Sequence, residues 1–467
     1  MILGAGPGGY AAAFYAADLG MDVTVVDPED NPGGVCLYRG CIPSKVLLHV
    51  VKLKNELAEA EKWGLSCGEV KIDVDTLRKW KQNVIGKLTG GLGQLAEKRK
   101  VSHIKGMAAF KDADTLHIEK NDGKTSELTF DNAIIATGSS SIRLPGAPDS
   151  KRIMTSSEAL DLEEVPETLL VVGGGYIGLE MGQVYARLGS RVTVAEMLPN
   201  LLPGADRDLA RFLDKQLKTD FDSIRLETKV SEVKEKKDGL HVTFETDGDE
   251  SESAVFDKMM VSIGRKPDAS GLGLENTAVQ VDDNGFIKSD SQCRTDEPNV
   301  FVIGDIAGEP MLAHKASHEG RATVEAVTGK KTVFEPRSIP AVVFSDPEIA
   351  WCGLTETQAR EQGRDIEIAT FPWAASGRAL TLGRNDGLTK LVIDPESRRV
   401  LGVGVAGVDA GELIAQGSIA IEMSAVAEDL ALTIQAHPTL SETIMEAAEA
   451  VDGKSTHFIG GKARKKK

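Results

Sequence analysis

Short apolar runs that end in glycine alternate with helix-like patterns along much of the chain. Residues 168–172 read Thr-Leu-Leu-Val-Val directly before Gly173, and residues 300–303 read Val-Phe-Val-Ile directly before Gly304. Runs of this length predict buried strands of a parallel sheet. The spacing of apolar residues over 45–63, by contrast, predicts an amphipathic helix. The pattern as a whole predicts an α/β fold.

Two copies of a glycine fingerprint, G-x-G-x-x-G, mark two nucleotide-binding units. The glycines are Gly4, Gly6 and Gly9 in the first copy and Gly173, Gly175 and Gly178 in the second. In each copy an acid, Asp27 or Glu196, follows the first glycine by 23 positions. The glycines permit a tight turn beside a pyrophosphate, the next helix supplies N–H donors, and the acid accepts hydrogen bonds from a ribose. One fingerprint alone could be a flexible loop, but two with acids in register predict two dinucleotide sites.

Changes of pattern divide the chain into four segments. Residues 133–138 close a first unit, and Leu144-Pro145-Gly146 leads into the second. Short strands resume after Gly271 and end at Gly304-Asp305, which predicts a return to the first unit. From about Ser338 strands alternate with helices, which predicts a separate α+β domain. The predicted segments are 1–143, 144–270, 271–337 and 338–467.

The strand before the first fingerprint is unusually short. Only Met1, Ile2 and Leu3 precede Gly4, whereas a buried strand usually has about five residues. We predict either that the native reading frame begins upstream of Met1 or that the first sheet lacks most of one strand.

Composition and charge narrow the class of protein. The chain has 467 residues, 41% of them hydrophobic, and a net charge of −17, which disfavours binding to nucleic acid or to an anionic membrane. Its purely apolar runs are far shorter than the roughly 20 residues that span a bilayer. The basic tail from Lys462 to Lys467 is predicted to be a disordered end without function. Five cysteines are too few for a secreted disulfide framework, and the absence of a signal sequence favours a reducing compartment.

Cys36 and Cys41 form the one close pair of cysteines. In a regular helix, residues five apart have Cα atoms roughly 8 to 9 Å apart, beyond the ~7 Å that a disulfide tolerates. The pair therefore needs an irregular helix start, for which Gly40 supplies freedom and Pro43 suits the first turn. A thiolate near that N-terminus has a lowered pKa. From spacing alone, two unrelated structural cysteines stay possible. The remaining cysteines are predicted to be buried or incidental thiols: Cys67, Cys293 and Cys352.

The segment Gly40-Cys41-Ile42-Pro43-Ser44-Lys45 resembles the active-site signature of the pyridine nucleotide-disulfide oxidoreductase family, and the likeness covers essentially the whole chain. Other motifs stand where that family's motifs would stand, at residues 136–138, 173–180, 263–267, 303–305 and 437–442. The resemblance implies two Rossmann-like units, an FAD-binding domain (1–143, completed by 271–337) and an inserted NAD-binding domain (144–270). It further implies a C-terminal α+β dimerisation domain (338–467).

The resemblance also implies roles for individual residues. Cys36 and Cys41 would form a redox-active disulfide beside FAD, with Lys45 paired to Glu180 near the flavin. His437, oriented by Glu442, would act on the site of the other subunit in a homodimer. The implied cofactor-binding residues are Gly4, Gly6, Pro7, Gly9, Asp27, Gly33, Gly34, Lys45, Ala108, Thr137, Gly138, Gly173, Gly175, Tyr176, Ile177, Gly178, Glu196, Val230, Ile263, Gly264, Arg265, Gly304, Asp305, Met311, Leu312, Ala313 and His314. No metal is implied.

Glu196 favours NAD, because a carboxylate accepts the 2′-OH of its ribose and repels the 2′-phosphate of NADP. Arg187 and Arg191 lie nearby in sequence, so NADP stays possible. The resemblance implies that the chain oxidises dihydrolipoamide to lipoamide with NAD+, with lipoyl-domain proteins of 2-oxo acid dehydrogenase or glycine cleavage complexes as partners. Bacterial cytoplasm and mitochondrial matrix both fit this activity, and the absence of a transit peptide favours a cytoplasmic location. Another disulfide reductase of the same family and a scaffold that does not bind flavin are the alternatives.

Overall fold

The first unit is a parallel sheet flanked by helices and extended by an antiparallel meander. The computed structural model of the protein describes residues 1–246, 251–459 and 464–466. In chain order the elements of this unit are β1 (Ile2–Leu3), α1 (Pro7–Asp18), β2 (Thr24–Asp27), α2 (Gly34–Arg39), α3 (Cys41–Glu59), a 3₁₀ turn (Ala60–Trp63), α4 (Val74–Lys98), β3 (Ser102–Phe110), β4 (Thr115–Lys120), β5 (Thr125–Thr129), β6 (Ala133–Ile135) and β7 (Ser139–Ser141).

The second unit repeats the strand–turn–helix–strand arrangement and adds a three-stranded antiparallel layer. Its elements are β8 (Ile153–Met154), α5 (Ser156–Asp161), β9 (Thr168–Val172), α6 (Tyr176–Leu188), β10 (Arg191–Ala195), α7 (Arg207–Asp220), β11 (Ser223–Arg225), β12 (Thr228–Lys236), β13 (Gly239–Thr246), β14 (Glu252–Phe256), β15 (Lys258–Val261) and β16 (Arg265–Pro267). Its parallel sheet has the strand order β11-β10-β9-β15-β8.

The central segment returns the chain to the first sheet. It contains a 3₁₀ turn (Leu274–Asn276), β17 (Val300–Val302), a second 3₁₀ turn (Gly304–Ile306) and α8 (Ala313–Val327). β17 pairs in parallel with β6, which gives the first sheet the order β17-β6-β1-β2-β3-β4-β5. The expected return to the first unit is therefore present.

The expectation of short strands directly after Gly271 is wrong. In this part of the described chain the pairing is limited to isolated bridges, such as Val281 with Ile287. The reason is local, because the Asp282 carboxylate accepts hydrogen bonds from the backbone of Asn284 and Phe286 and folds the chain into a turn.

The C-terminal unit is a mixed layer of antiparallel sheet and helices. Its elements are β18 (Ala341–Val343), β19 (Glu348–Gly353), α9 (Glu356–Glu361), β20 (Ile366–Pro372), a 3₁₀ turn (Trp373–Ala375), α10 (Gly377–Thr381), β21 (Leu388–Ile393), β22 (Val400–Gly407), α11 (Ala410–Glu422), α12 (Ala427–Leu432), α13 (Glu442–Ala450) and β23 (Arg464–Lys466). The sheet order is β18-β19-β22-β21-β20-β23.

The basic tail differs from the expectation of a disordered end. Arg464–Lys466 form the edge strand β23, which pairs with Ile366, Glu367 and Ile368 of β20. Charged residues are common on edge strands, where they disfavour further pairing. The other tail positions, 462, 463 and 467, lie outside the described residues.

The first strand is as short as the sequence predicts. β1 contains only Ile2 and Leu3, yet both residues are buried and pair in parallel with β2 on one side and β6 on the other. The first sheet is thus built around a two-residue strand. Whether the reading frame begins upstream stays a prediction.

One helical stretch is long and apolar enough to cross a membrane by length and composition. It is Gly34–Trp63, a stretch of 30 residues in which an 18-residue window reaches a mean hydropathy of 1.2. Arg39 and Lys45 interrupt it, so the expectation that purely apolar runs are short still holds. The stretch consists of α2, α3 and the following turn. Its residues Leu47, Leu48 and Val51 are buried against neighbouring elements of the protein, and we interpret it as a helix of the core.

A buried ionic cluster joins the second unit to the C-terminal unit. The Asp346 carboxylate pairs with the guanidinium groups of Arg187 and Arg384, and Arg187 also pairs with Asp220. Asp346 and Gln183 exchange two further hydrogen bonds between backbone and side chain. These contacts fix the position of the C-terminal unit beside α6.

Candidate active site

A cavity of about 730 Å³ lies between the first unit, the second unit and the central segment. Carboxylates, hydroxyls and three arginines, Arg39, Arg143 and Arg265, converge on it beside apolar side chains. Cavities of this size and character bind small molecules or cofactors. The residues predicted from the sequence that line it are Gly4, Gly6, Pro7, Asp27, Gly34, Cys36, Cys41, Lys45, Ala108, Thr137, Gly138, Tyr176, Ile177, Glu180, Arg265, Gly304, Asp305, Met311 and Ala313.

The other predicted residues lie outside this lining. Several form the turns behind it, several lie at the second fingerprint, and two lie on the C-terminal unit. They are Gly9, Gly33, Gly173, Gly175, Gly178, Glu196, Val230, Ile263, Gly264, Leu312, His314, His437 and Glu442. Val230 is buried in the core of the second unit, and the His314 Nε2 atom lies 2.8 Å from the Pro340 carbonyl oxygen.

The first fingerprint forms a turn that tolerates only glycine at two positions. Gly4 has φ +97°, and a Cβ atom there would lie 2.4 Å from the Ala136 carbonyl oxygen. A Cβ atom on Gly9 would lie 1.9 Å from the Gly4 oxygen, so α1 packs directly on the turn. Asp27 accepts hydrogen bonds from the backbone N–H groups of Ala5 at 2.7 Å and Glu29 at 2.9 Å. The acid thus fixes the turn against the end of β2.

The second fingerprint repeats this geometry. Gly173 has φ +107°, and a Cβ atom on Gly178 would lie 2.2 Å from the Gly173 oxygen. Glu196 accepts hydrogen bonds from the backbone N–H groups of Gly174 at 2.6 Å and Leu198 at 2.7 Å. The equivalent positions in the two copies make equivalent contacts, so the repeat seen in the sequence is also a repeat of hydrogen bonding.

The two arginines near the second fingerprint are both engaged elsewhere. The Arg187 guanidinium is buried and pairs with Asp220 and Asp346. Arg191 lies at the start of β10 and pairs with Glu167, whereas Glu196 follows the other end of that strand. Neither arginine is placed to receive a 2′-phosphate beside Glu196, which favours NAD over NADP.

The predicted break between the two cysteines is present at Gly40. Gly40 has φ −145° and ψ −113°, so α2 ends at Arg39 and α3 begins at Cys41. A Cβ atom on Gly40 would lie 2.9 Å from the Val35 carbonyl oxygen, which explains the need for glycine. The break brings Cys36 and Cys41 together as two free thiols that hydrogen bond to one another.

The two thiols differ strongly in acidity. The hydrogen bond to Cys41 and burial raise the pKa of Cys36. The hydrogen bond from Cys36, helped by the Lys45 ammonium, lowers the pKa of Cys41 to about 7 despite burial and the nearby Glu180 carboxylate. Cys41 is therefore substantially ionised at neutral pH, the state needed for thiol exchange.

Lys45 and Glu180 connect three parts of the protein at the cavity. The Lys45 ammonium lies 2.8 Å from the Glu180 carboxylate, whose side chain is only 4% exposed. The other Glu180 oxygen accepts a 2.9 Å hydrogen bond from the Phe344 N–H, and the Lys45 ammonium lies 4.4 Å from the centre of the Phe344 ring. The predicted ion pair is present, and the C-terminal unit holds it.

Asp305 ends the apolar strand of the central segment and is fixed from the first unit. The Ser139 hydroxyl donates a 2.5 Å hydrogen bond to the Asp305 carboxylate. Arg265 in turn donates from Nε to the Ser139 hydroxyl at 2.7 Å and from Nη2 to the Ser139 carbonyl at 2.5 Å. One carboxylate oxygen of Asp305 is thus oriented at the cavity wall by residues of two other segments.

His437 and Glu442 form a pair on the exposed surface of the C-terminal unit. The His437 Nδ1 atom lies 2.9 Å from the Glu442 carboxylate, whose other oxygen accepts a 2.8 Å hydrogen bond from the Thr439 N–H. The His437 side chain is 74% exposed. Within one chain, His437 and Glu442 lie outside the lining of the cavity that contains Cys36 and Cys41.

Phe344 and Ser139 were not singled out from the sequence, although each contacts a predicted site residue. Phe344 directly follows β18 and Ser139 is the first residue of β7, and the sequence pattern at both places indicates only a short strand. Their contacts depend on how the units pack together, for which the sequence of one chain carries no local signal.

Comparison with known proteins agrees with this geometry along the whole chain. The family of pyridine nucleotide-disulphide oxidoreductases matches residues 1–320, and its dimerisation domain matches residues 339–448. Dihydrolipoyl dehydrogenase of Vibrio cholerae is 47% identical over 100% of this chain and 98% of that protein. Dihydrolipoyl dehydrogenase of Geobacillus stearothermophilus is 44% identical over 98% of this chain and 97% of that protein.

Solved structures show the same architecture. The crystal structure of LpdA from Mycobacterium tuberculosis is 28% identical, with a TM-score of 0.89 over 96% of this chain and 98% of that one. The HOCl-induced flavoprotein disulfide reductase RclA from Escherichia coli is 25% identical, with a TM-score of 0.85 over 96% and 98%. The predicted fold of two nucleotide-binding units and a C-terminal dimerisation domain is confirmed. The chain belongs to the pyridine nucleotide-disulphide oxidoreductase family.

Proposed function

We propose that the protein oxidises dihydrolipoamide to lipoamide with NAD+ as the acceptor, through a redox-active Cys36–Cys41 disulfide. The observation that carries the proposal is the broken helix at Gly40, which places the ionisable thiol of Cys41 and the half-buried thiol of Cys36 together on the wall of the large cavity. Full-length relatives named dihydrolipoyl dehydrogenase support the choice of substrate.

The cavity residues fit FAD. The tight turn of the first fingerprint leaves no room for a side chain at Gly4, and the N-terminus of α1 presents N–H groups for a pyrophosphate. Ala108 and Ala313 offer small side chains where backbone must approach a cofactor, and Asp305 offers an oriented carboxylate. We propose that residues 1–143 and 271–337 hold FAD.

The second fingerprint fits NAD in the same way. Its Glu196 carboxylate accepts two backbone hydrogen bonds, and its remaining lone pairs are available for the ribose hydroxyls. We propose that residues 144–270 hold NAD. Bound FAD supplies hydride transfer between the enzyme dithiol and the nicotinamide.

The dithiol chemistry follows from the two cysteines. A thiolate of dihydrolipoamide attacks Cys36 Sγ of the oxidised pair, which forms a mixed disulfide and releases Cys41 as a thiolate. The second lipoyl sulfur then attacks the first, which closes lipoamide and releases Cys36. Two electrons pass to the cysteine pair, and the low pKa of Cys41 makes it the better leaving group.

The Lys45 ammonium stabilises the Cys41 thiolate released in the first step. It lowers the pKa of that thiol, and its own position is fixed by Glu180 and Phe344. Because the carboxylate and the thiolate share one ammonium, Glu180 limits how acidic Cys41 becomes.

His437 is proposed as the base that takes the proton from the dihydrolipoamide thiol. Its contact with Glu442 is the arrangement of a base with an orienting carboxylate. Since the pair is exposed on the C-terminal unit, which matches a dimerisation domain, we propose that it serves Cys36 of the second subunit in a homodimer. The proposed partners are lipoyl-domain proteins of 2-oxo acid dehydrogenase or glycine cleavage complexes, in the cytoplasm of a bacterium.

The test is the Cys36→Ser variant of the holoenzyme. It should bind flavin at the normal ratio and lose dihydrolipoamide turnover, because no disulfide can form. Cys67→Ser is the matched control, since Cys67 is exposed and lies outside the cavity lining. Normal dihydrolipoamide turnover in Cys36→Ser would overturn the proposed chemistry. If the wild-type enzyme turned over a different disulfide substrate but not dihydrolipoamide, the proposed substrate would be wrong.

A further inference from the structure

A chain of buried hydrogen bonds ends at the loop that carries His437. The Trp373 Nε1–H donates to the Thr389 hydroxyl at 3.0 Å, and the Thr389 hydroxyl donates to the Thr443 hydroxyl at 2.8 Å. The Thr443 hydroxyl donates to the Leu440 carbonyl oxygen at 2.7 Å. The side chains of Trp373, Thr389 and Thr443 are each 0% exposed. The proposed mechanism gives none of these three side chains a role.

The direction of this chain is fixed by its first member. An indole N–H can only donate, so Thr389 must accept from it and has its own proton left for Thr443. Thr443 must then accept from Thr389 and donate to Leu440. Both threonines are 0% exposed, so bulk solvent does not compete for these protons, and the hydrogen bonds of the described residues give each hydroxyl one acceptor.

Trp373 is an immobile anchor for the chain. Its ring packs against backbone at two glycines, where added Cβ atoms would lie 2.6 Å from the ring at Gly387 and 2.3 Å from it at Gly407. The ring belongs to the core of the C-terminal unit. An anchor packed this tightly does not change rotamer without moving the sheet.

The far end of the chain fixes the start of α13. The Leu440 oxygen accepts from both the N–H and the hydroxyl of Thr443, and the helix begins at Glu442 between them. Ser441, at the N-cap position, makes no capping hydrogen bond with its side chain. The turn is instead braced by the Thr443 hydroxyl on the Leu440 carbonyl and by the Thr439 N–H on the Glu442 carboxylate. The carboxylate that it places is the one that holds His437.

We propose that the chain Trp373–Thr389–Thr443 positions the Glu442–His437 pair, and that Thr443 is a positioning residue for the dithiol half of the reaction. The inference rests on the proposed role of His437 as the base. Loss of the hydroxyl leaves the Leu440 carbonyl with only the longer contact from the Thr443 N–H, which loosens the turn and lets the Glu442 carboxylate drift from the imidazole. Small displacements of a base lower the rate of proton transfer without preventing folding.

The test compares Thr443→Val with Thr443→Ser in the holoenzyme. Two reactions are measured at one pH, the oxidation of dihydrolipoamide and the reduction of ferricyanide by NADH, which needs no proton transfer from a dithiol. Thr443→Val should lower dihydrolipoamide turnover about three- to tenfold. Ferricyanide reduction should stay at the wild-type rate, and Thr443→Ser should restore the dihydrolipoamide turnover.

Thr277→Val is a matched control. The Thr277 N–H and hydroxyl both donate to the Leu274 carbonyl, at 3.0 and 2.8 Å, the same local motif as at Thr443. This variant should leave both reactions unchanged. If Thr443→Val does not fold, Thr389→Val breaks the same chain one link earlier and should give the same pattern.

Three results would overturn the inference. They are a wild-type dihydrolipoamide turnover in Thr443→Val, an equal loss of both reactions, and a failure of Thr443→Ser to restore the turnover. A His437→Gln variant separates this inference from the proposed function. If His437→Gln abolishes dihydrolipoamide turnover while Thr443→Val is normal, only the positioning role is wrong. If His437→Gln is fully active, the proposed base is wrong, and with it the positioning role.

Discussion

The hydrogen bond from Cys36 is the largest cause of the low pKa of Cys41, and the opposing charges of Lys45 and Glu180 adjust that pKa. The effect of each charge can be tested separately. The Lys45 ammonium lowers the pKa of the Cys41 thiol, and the Glu180 carboxylate raises it. Lys45→Met removes the ammonium and leaves Glu180 without its partner, so both changes raise the pKa of Cys41. Glu180→Gln removes the carboxylate, and its amide oxygen can still accept from the Phe344 N–H, so the pKa of Cys41 falls.

The size of the effect follows from the starting value. With a pKa of about 7, Cys41 is about half thiolate at pH 7. Removal of one charge next to a partly buried thiol shifts the pKa by about one unit. Lys45→Met should therefore leave about a tenth of Cys41 as thiolate at pH 7 and slow its alkylation about fivefold. Glu180→Gln should less than double the rate at pH 7, so the whole pH profile must be compared.

The assay is the rate of iodoacetamide alkylation of Cys41, followed by peptide mass across pH in the reduced protein without cofactors. Lys52→Met is the control, because Lys52 lies on the same helix and its ammonium lies 3.9 Å from Glu348 and 3.8 Å from Asp409. Its profile should match that of the wild type. An unchanged profile in Lys45→Met, or a higher pKa in Glu180→Gln, would refute the reasoning.

Three further predictions concern the two fingerprints and the junction between units. Gly9→Ala should abolish flavin retention, because its Cβ atom would lie 1.9 Å from a backbone oxygen, whereas Gly86→Ala, with open space around it, should retain flavin at the wild-type ratio to protein. Glu196→Ala should raise the KM for NAD+ about tenfold through the loss of its ribose and turn contacts, and an unchanged KM in steady-state kinetics would contradict this. Burial opposes ionisation of Asp346, but its partners Arg384 and Arg187 lower its pKa below the ordinary 3.8. The ionised Asp346 therefore stabilises the folded protein above pH 3.8, and this stabilisation is lost as the pH falls through the lowered pKa. When thermal unfolding is measured from pH 7 to 3, the Tm of the wild type should fall more steeply with decreasing pH than the Tm of Asp346→Asn. An equal dependence of Tm on pH in the two proteins would contradict this prediction.

Local patterns predicted the parts of the site that are local. The run 168–172 became β9 with the same bounds, and both fingerprints became the predicted tight turns. The backbone hydrogen bonds that their acids accept were not predicted, since the sequence indicated only a role at a ribose. The break at Gly40 was predictable because the geometry of a regular helix and of a disulfide are incompatible.

Contacts between units were not predictable in this way. The Lys45–Glu180 pair came from the family resemblance, while the third member, Phe344, depends on how the C-terminal unit packs against α6. The same holds for Thr443, whose sequence neighbours indicate only a helix start. The prediction of short strands after Gly271 was wrong because the Asp282 side chain accepts backbone hydrogen bonds that fold this segment into a tight turn.

The central claim is that Cys36 and Cys41 exchange between disulfide and dithiol as dihydrolipoamide is consumed. The direct measurement is anaerobic addition of one equivalent of dihydrolipoamide to the oxidised holoenzyme, followed by alkylation and peptide mass analysis of both cysteines. The account predicts that neither cysteine is alkylated before the addition, that both become available after it, and that NAD+ then restores protection while one NADH forms per site. Cysteines that are alkylated equally before and after the addition, with NADH still formed, would contradict it.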